Sequence, residues 1–225
     1  PGAKLVTSMQ TGDIQGFCVG DPWHLRAINQ KVGYTALVTG EMWKDHPEKA
    51  LSFRGDWALQ HPKTTIAILK AVIEAQQWCD KMEHRQEMAQ ILSRDEYAKI
   101  PVADIIDRLQ GKINYGDSRP LVENSPNVMR YWEKGTASFP YKSHDLWFLL
   151  ENERWGNIPK KTDLTKLISE VNGANLWRQA AQQMGVSAAE IPVGDSRGVE
   201  VFFDGVTFDP EKPQEYLKSL KIKRI

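Results

Sequence analysis

Apolar positions recur with a helical period over residues 3–10. The period is strongest after Gln60-His61-Pro62, where Ile66, Leu69, Val72 and Ile73 share one stripe. The same spacing predicts helices over 85–92, 102–109, 127–133, 144–155, 164–170, 176–184 and 214–220. Three short runs break this rhythm, and strands are predicted at 16–20, 34–38 and 49–53. The first, Gly16-Phe17-Cys18-Val19-Gly20, is continuous and bounded by glycines, as suits a strand buried on both faces of a parallel sheet. Asp21-Pro22 then predicts a helix start, with Asp21 as N-cap and Pro22 at the first helical position, running through Trp23, Leu25, Ala27 and Ile28. Residues 191–225 change character: short strand-like pieces at 199–203 and 206–208 lie among Gly194, Gly198, Gly205, Pro210 and Pro213.

The pattern defines a helix-rich α/β chain. Its expected divisions are residues 1–20, ending one lobe and crossing over; 21–190, the remainder of the other lobe; and 191–225, a loop-rich wrap. The chain opens Pro1-Gly2-Ala3 and is expected to be the C-terminal part of something longer.

Charge narrows the partners. There are 29 Lys and Arg against 29 Asp and Glu, a net charge of zero. No field of one sign is available to hold a polyanion, so nucleic acid is not an expected partner. No apolar run approaches the roughly 18 residues of a membrane span. The two cysteines, Cys18 and Cys79, fit no metal-ligand spacing and are expected as buried free thiols.

Two clusters carry candidate chemistry. At Gly20-Asp21-Pro22-Trp23, a residue without a side chain ends the apolar run and lets a ligand approach backbone amides, while the expected helix start offers unpaired N–H groups to a small oxyanion. A plain strand-to-helix turn is the alternative reading. In the second cluster, Lys44, His46 and Lys49 surround Pro47, and Lys49 enters the third predicted strand as a cation for the same anion. A solvated charged loop is the alternative there. Trp23 and Trp43 flank the clusters, whereas Trp78 and Trp177 fall in helical stripes and read as core, and Trp147 and Trp155 as core or interface. No nucleophile elbow, zinc helix, phosphate loop or paired-cysteine motif occurs, so no enzyme, metal or cofactor is expected, although Asp45 and Glu48 are carboxylates capable of acid–base work.

The segments Gly16 to Trp23, Trp43 to Lys49, Arg85 to Leu92, Tyr115-Gly116-Asp117, Asp195 to Glu200 and Phe202-Phe203-Asp204-Gly205 together resemble the solute-binding protein of cyanobacterial nitrate/nitrite ABC transporters and its bicarbonate-binding relative. The resemblance runs over essentially the whole chain and places it in the C-terminal half of a protein about twice as long. It implies a two-lobed C-clamp fold closing on an oxyanion. Gly20 matches the family glycine whose backbone meets the ligand, and Lys49 matches the lysine that neutralises nitrate. A carboxylate in this neighbourhood instead goes with bicarbonate and bound calcium, and Glu48 is adjacent. Asp21 and Trp23 complete the ligand-binding set drawn here. The family's remaining contacts, a tryptophan, a glutamine and a histidine, lie upstream of Pro1. By resemblance the implied partners are nitrate or nitrite and the permease and ATPase subunits of an ABC transporter. The implied location is the periplasmic face of the plasma membrane, held by an upstream lipid anchor. A fused or cytoplasmic nitrate-sensing domain and a bicarbonate receptor are the alternatives.

Overall fold

The computed structural model describes residues 2–221, and the expectation made for Pro1 lies outside them. The chain divides into two compact units. One holds the residues up to Glu41 together with Trp78–Arg130, the other Met42–Gln77 together with the residues from Tyr131 on.

The helices, in chain order, are α1 (Gly2–Gln10), α2 (Trp23–Asn29), α3 (Thr39–Met42), α4 (Gly55–Gln60), α5 (Pro62–Asp80), α6 (Arg85–Leu92), α7 (Ile106–Leu109), α8 (Lys142–Trp155), α9 (Leu164–Val171), α10 (Ala174–Gln183) and α11 (Pro213–Ser219). Single 3₁₀ turns sit at Met82–His84, Val102–Asp104 and Ala188–Glu190. Among the described residues the sheet is a short antiparallel pair, β1 (Glu200–Val201) and β2 (Thr207–Phe208), with Glu200 opposite Phe208.

In the first unit, α1 packs on α2 through Gly2, where a methyl group would lie 2.3 Å from the Trp23 ring. A larger residue there would displace the indole from the cluster of Ala89, Ile100, Ile105 and Leu109 against which it packs. Two buried arginines organise the segment that follows. The Arg85 guanidinium donates to Leu109 O at 3.3 Å and Met129 O at 2.9 Å, and Arg108 donates to Asn127 O at 2.8 Å. These bonds correct the helix expected over 127–133. Carbonyls needed for i→i+4 bonds are held by guanidinium groups from α6 and α7, and the chain there runs as turns and irregular backbone.

In the second unit, the α5 stripe places Ile66 and Ile73 in a core with Trp132, Phe139, Tyr141, Ala174, Trp177, Ala180 and Ala181. Gly135, at φ +84°, lets the preceding loop close on Glu190 O, which would lie 2.0 Å from a Cβ there. A second core joins Leu150 of α8 with Phe208 of β2 and Tyr216 of α11, and Gly156 ends α8 in the left-handed conformation.

The strands expected at 16–20, 34–38 and 49–53 do not form ladders among the described residues. The backbone is largely irregular there, and Leu37 and Leu51 are exposed. An apolar run becomes a strand only where another edge takes up its amides and carbonyls, and these segments make isolated contacts such as Thr35 N to Tyr115 O at 2.8 Å. Cys18 is exposed and Cys79 half-buried, which corrects the expectation of two buried thiols.

Candidate functional site

In the first unit, Phe17, Val19 and Gly20 are half-buried and Cys18 points outward, so the approach to the turn has one covered face rather than two. The Asp21–Pro22 peptide is cis, and Pro22 itself occupies the cap position of the seven-residue α2. Asp21 is therefore not the N-cap, and its carboxylate does not accept from the helix start. Instead its oxygens meet His24 Nδ1 at 2.8 Å and Arg108 Nε at 3.2 Å. Burial raises this carboxyl, but the hydrogen bond from His24 and the charges of His24 and Arg108 outweigh it and hold the group below the usual carboxylate range. Asp21 is thus a neutralised anchor for the turn. Trp23 packs its ring into the unit's core with the Arg26 guanidinium over its face at 5.8 Å.

In the second unit, the loop from Trp43 to Lys49 is held from beneath. Trp43 is 2% exposed and sits among the rings of His46, His144, Trp147, Phe148 and Phe202. Its Nε1 donates to Glu200 Oε2 at 2.9 Å, so the indole is a core group and not a ligand platform. Glu200, 8% exposed, also accepts from Arg197 Nε at 2.7 Å and Nη2 at 2.9 Å. Burial alone would raise its pKa. Donors from His144, Arg197 and Trp43 reverse this and bring it down to about 2. The same guanidinium donates to Asp45 O at 2.8 Å and to Lys44 O at 3.2 Å. His46 follows, its imidazole pushed down by burial and its Nδ1 enclosed without a hydrogen bond.

Lys49 is paired with the carboxylate of its neighbour Glu48, so the expected ligand cation already has an anionic partner. The two side chains are 76% and 51% exposed, and an ion pair this open contributes little and exchanges readily for another anion. Gly20 and Lys49 belong to different units, each with its own turn and its own half-buried carboxylate–arginine pair.

Sequence reasoning marked Asp195 to Glu200 as a motif but gave Arg197 and Glu200 no task. A signal was present. In Val199-Glu200-Val201-Phe202-Phe203 the alternation puts the carboxylate on the side of the inward Phe202, a placement that requires a buried cationic partner.

The NMT1-like family matches residues 1–93. Over the whole chain, 54% of residues are identical to the nitrate/nitrite binding protein NrtA of Nostoc sp. and 57% to that of Synechococcus elongatus, covering 51% and 50% of those proteins. The bicarbonate-binding protein CmpA of Synechococcus elongatus is 44% identical and is likewise covered over 51% of its length. The crystal structure of the periplasmic nitrate-binding protein NrtA from Synechocystis PCC 6803 has a TM-score of 0.95 to this chain at 52% identity, covering 99% of this chain and 57% of that one. The chain spans about half the length of the relatives it matches. Its fold is the helix-rich α/β fold of a solute-binding protein. More narrowly, the chain is similar over its whole length to nitrate/nitrite binding proteins and, at lower identity, to a bicarbonate-binding one.

Proposed function

We propose that this chain supplies part of the binding site of a receptor that captures nitrate or nitrite and delivers it to the permease and ATPase subunits of an ABC importer. The observation that carries the reading is the identity gap: 53–57% to nitrate/nitrite binding proteins against 44% to bicarbonate-binding ones, each over the whole chain. Lys49 is the ligand cation of this reading, and the Gly20 backbone, with Asp21 and Trp23 shaping its turn, is the second contact. Nitrate is a planar monoanion with acceptors only, so a cation and N–H donors satisfy it. The Glu48 carboxylate must release Lys49 when the anion arrives, and the openness of that pair makes this inexpensive. The protein is a binding protein rather than an enzyme in this reading. It works in the periplasm, anchored to the plasma membrane through a lipidated N-terminus.

Calorimetric titration of the full-length protein with nitrate, nitrite and bicarbonate, the last with and without calcium, tests the proposal. Lys49→Ala is expected to weaken nitrate about ten- to a hundredfold, the worth of a hydrogen bond to a charged group, and Lys49→Glu to abolish it. Full nitrate affinity in Lys49→Glu, or calcium-dependent bicarbonate binding by the parent, overturns it.

A second reading is a regulatory domain fused to a transporter ATPase. The nitrate import ATP-binding protein NrtC of Synechocystis is 31% identical over this whole chain, which covers 32% of that protein. The lower identity ranks it second. A lipobox cysteine upstream supports the receptor, and an ATPase with a phosphate-loop lysine supports the fused domain.

A further inference from the structure

Four consecutive residues upstream of the proposed ligand cation, Met42 to Asp45, are fixed at unusual density. Phe203 N donates to Met42 O at 2.9 Å, Trp43 Nε1 to Glu200 at 2.9 Å, and Arg197 to the carbonyls of Lys44 and Asp45 at 3.2 and 2.8 Å. Asp45 is at φ +53°, a left-handed conformation that costs energy for a residue with a side chain and persists where the surroundings enforce it. The carbonyl that Arg197 holds most closely is the one of this strained residue. Arg197 Nε and Nη2 meanwhile grip Glu200 side-on at 2.7 and 2.9 Å, and Arg197 N is fixed by Ser143 Oγ at 3.2 Å. The guanidinium fork donates four hydrogen bonds, two to the carboxylate and two to carbonyls, one more than an ammonium can, so Lys is not an equivalent here.

We propose that Arg197 and Glu200 are positioning residues for anion binding: they lock the turn at Lys44-Asp45 and thereby fix where Pro47, Glu48 and Lys49 present the ammonium to the ligand. The proposal rests on the reading of Lys49 as the nitrate cation. Without the fork, Asp45 relaxes from its left-handed conformation and the loop samples other paths, so Lys49 must be ordered at the expense of binding energy. Outer-shell groups that orient metal ligands give ten- to hundredfold effects, and a loss of about that size is expected here.

The test uses the full-length protein with nitrate as probe, comparing the parent with Arg197→Lys, Arg197→Ala and a control, Ile73→Val, which trims the other core of the same unit, to which none of the rings around Trp43 belongs. Nitrate affinity, melting temperature and hydrogen exchange of the amides at 44–49 are measured on each. Support is a loss of about tenfold or more in Arg197→Lys with faster exchange at 44–49, while Ile73→Val melts earlier at unchanged affinity and exchange. Propylguanidinium added to Arg197→Ala restores affinity if the fork is what matters. Parental nitrate affinity in Arg197→Lys and Arg197→Ala overturns the positioning role and leaves the nitrate reading standing. If the parent itself binds no nitrate, the proposed function falls, and parental exchange rates at 44–49 in Arg197→Lys then overturn the lock on the loop as well.

Discussion

The two turns solve one mechanical problem with opposite supplies of charge. At Gly20-Asp21 the turn itself provides the carboxylate, and Arg108 reaches it from α7 at 3.2 Å with His24 completing the neutralisation. At Trp43–Lys49 the turn provides backbone carbonyls and an indole N–H, and both charges come from residues about 150 positions away, Arg197 and Glu200. The first arrangement draws its carboxylate from the turn itself, with one partner, His24, three residues on and the other, Arg108, from α7. The second is a long-range clasp with Glu200 down at about 2, charged throughout the neutral range. A carboxylate inside a turn keeps an anion away from its own oxygens, whereas a turn held by its carbonyls leaves the side chains that follow free to meet one.

The largest effect that would sharpen this comparison is expected from Glu200→Ala. It strands the Arg197 guanidinium and the Trp43 N–H in a buried setting, which costs about 3–5 kcal/mol when one member of a buried pair is removed. Urea unfolding checks it, and a change below 1 kcal/mol would show that the clasp is replaceable by water. Next in size is the acid limb of stability. Because the folded pKa of Glu200 lies below the unfolded value, its contribution is complete above the ordinary glutamate value of 4.5 and disappears as pH falls through about 2. The loss is on the order of 3 kcal/mol as an upper bound. It should vanish in Glu200→Gln, as followed by thermal melts across that window.

Asp21→Ala is expected to cost less, about 1–3 kcal/mol, since Arg108 keeps Asn127 O while losing its ionic partner. The carboxyl is held low by His24 and Arg108, so its share of stability is present above the ordinary carboxylate range and lost as the pH drops through the depressed folded value. Chemical denaturation of the two alanine variants side by side decides whether the local pair is the weaker clasp. An Asp21→Ala loss larger than that of Glu200→Ala would reverse the comparison.

What the sequence revealed follows the same division between local and distant causes. The helices α5, α6, α8, α10 and α11 were legible because their period, proline starts and glycine stop act within the element itself. The run at 127–133 reads as helical from its own residues, yet Arg85 and Arg108 take its carbonyls from two other helices. The apolar runs at 16–20, 34–38 and 49–53 carry strand composition, but a ladder depends on an edge that composition does not specify. Trp43 flanks the cluster of Lys44 and His46 in the sequence. Only the distant Glu200 shows that its N–H is engaged and its ring buried. Turn chemistry makes Gly20 and Lys49 candidates, but nothing in the periodicity of either turn distinguishes a ligand contact from a solvated residue.

The smallest expected effect concerns the exposed pair that caps the second turn. Glu48→Gln removes the carboxylate now beside Lys49 Nζ while keeping side-chain size. Both groups are open to water, so stability should move by no more than about 0.5 kcal/mol. Ligand binding should respond in the other direction, because nitrate no longer displaces an intramolecular anion and the local negative charge is halved on ligand entry. A gain of about two- to fivefold in nitrate affinity is expected, shrinking as salt screens the exposed charges. Calorimetry of the full-length protein at low and high ionic strength reads it. Weaker nitrate binding in Glu48→Gln would mean that the carboxylate steers Lys49 toward the ligand instead of competing for it, and the contrast between a turn that neutralises its own carboxylate and a turn that presents a cation would then have to be redrawn around Glu48.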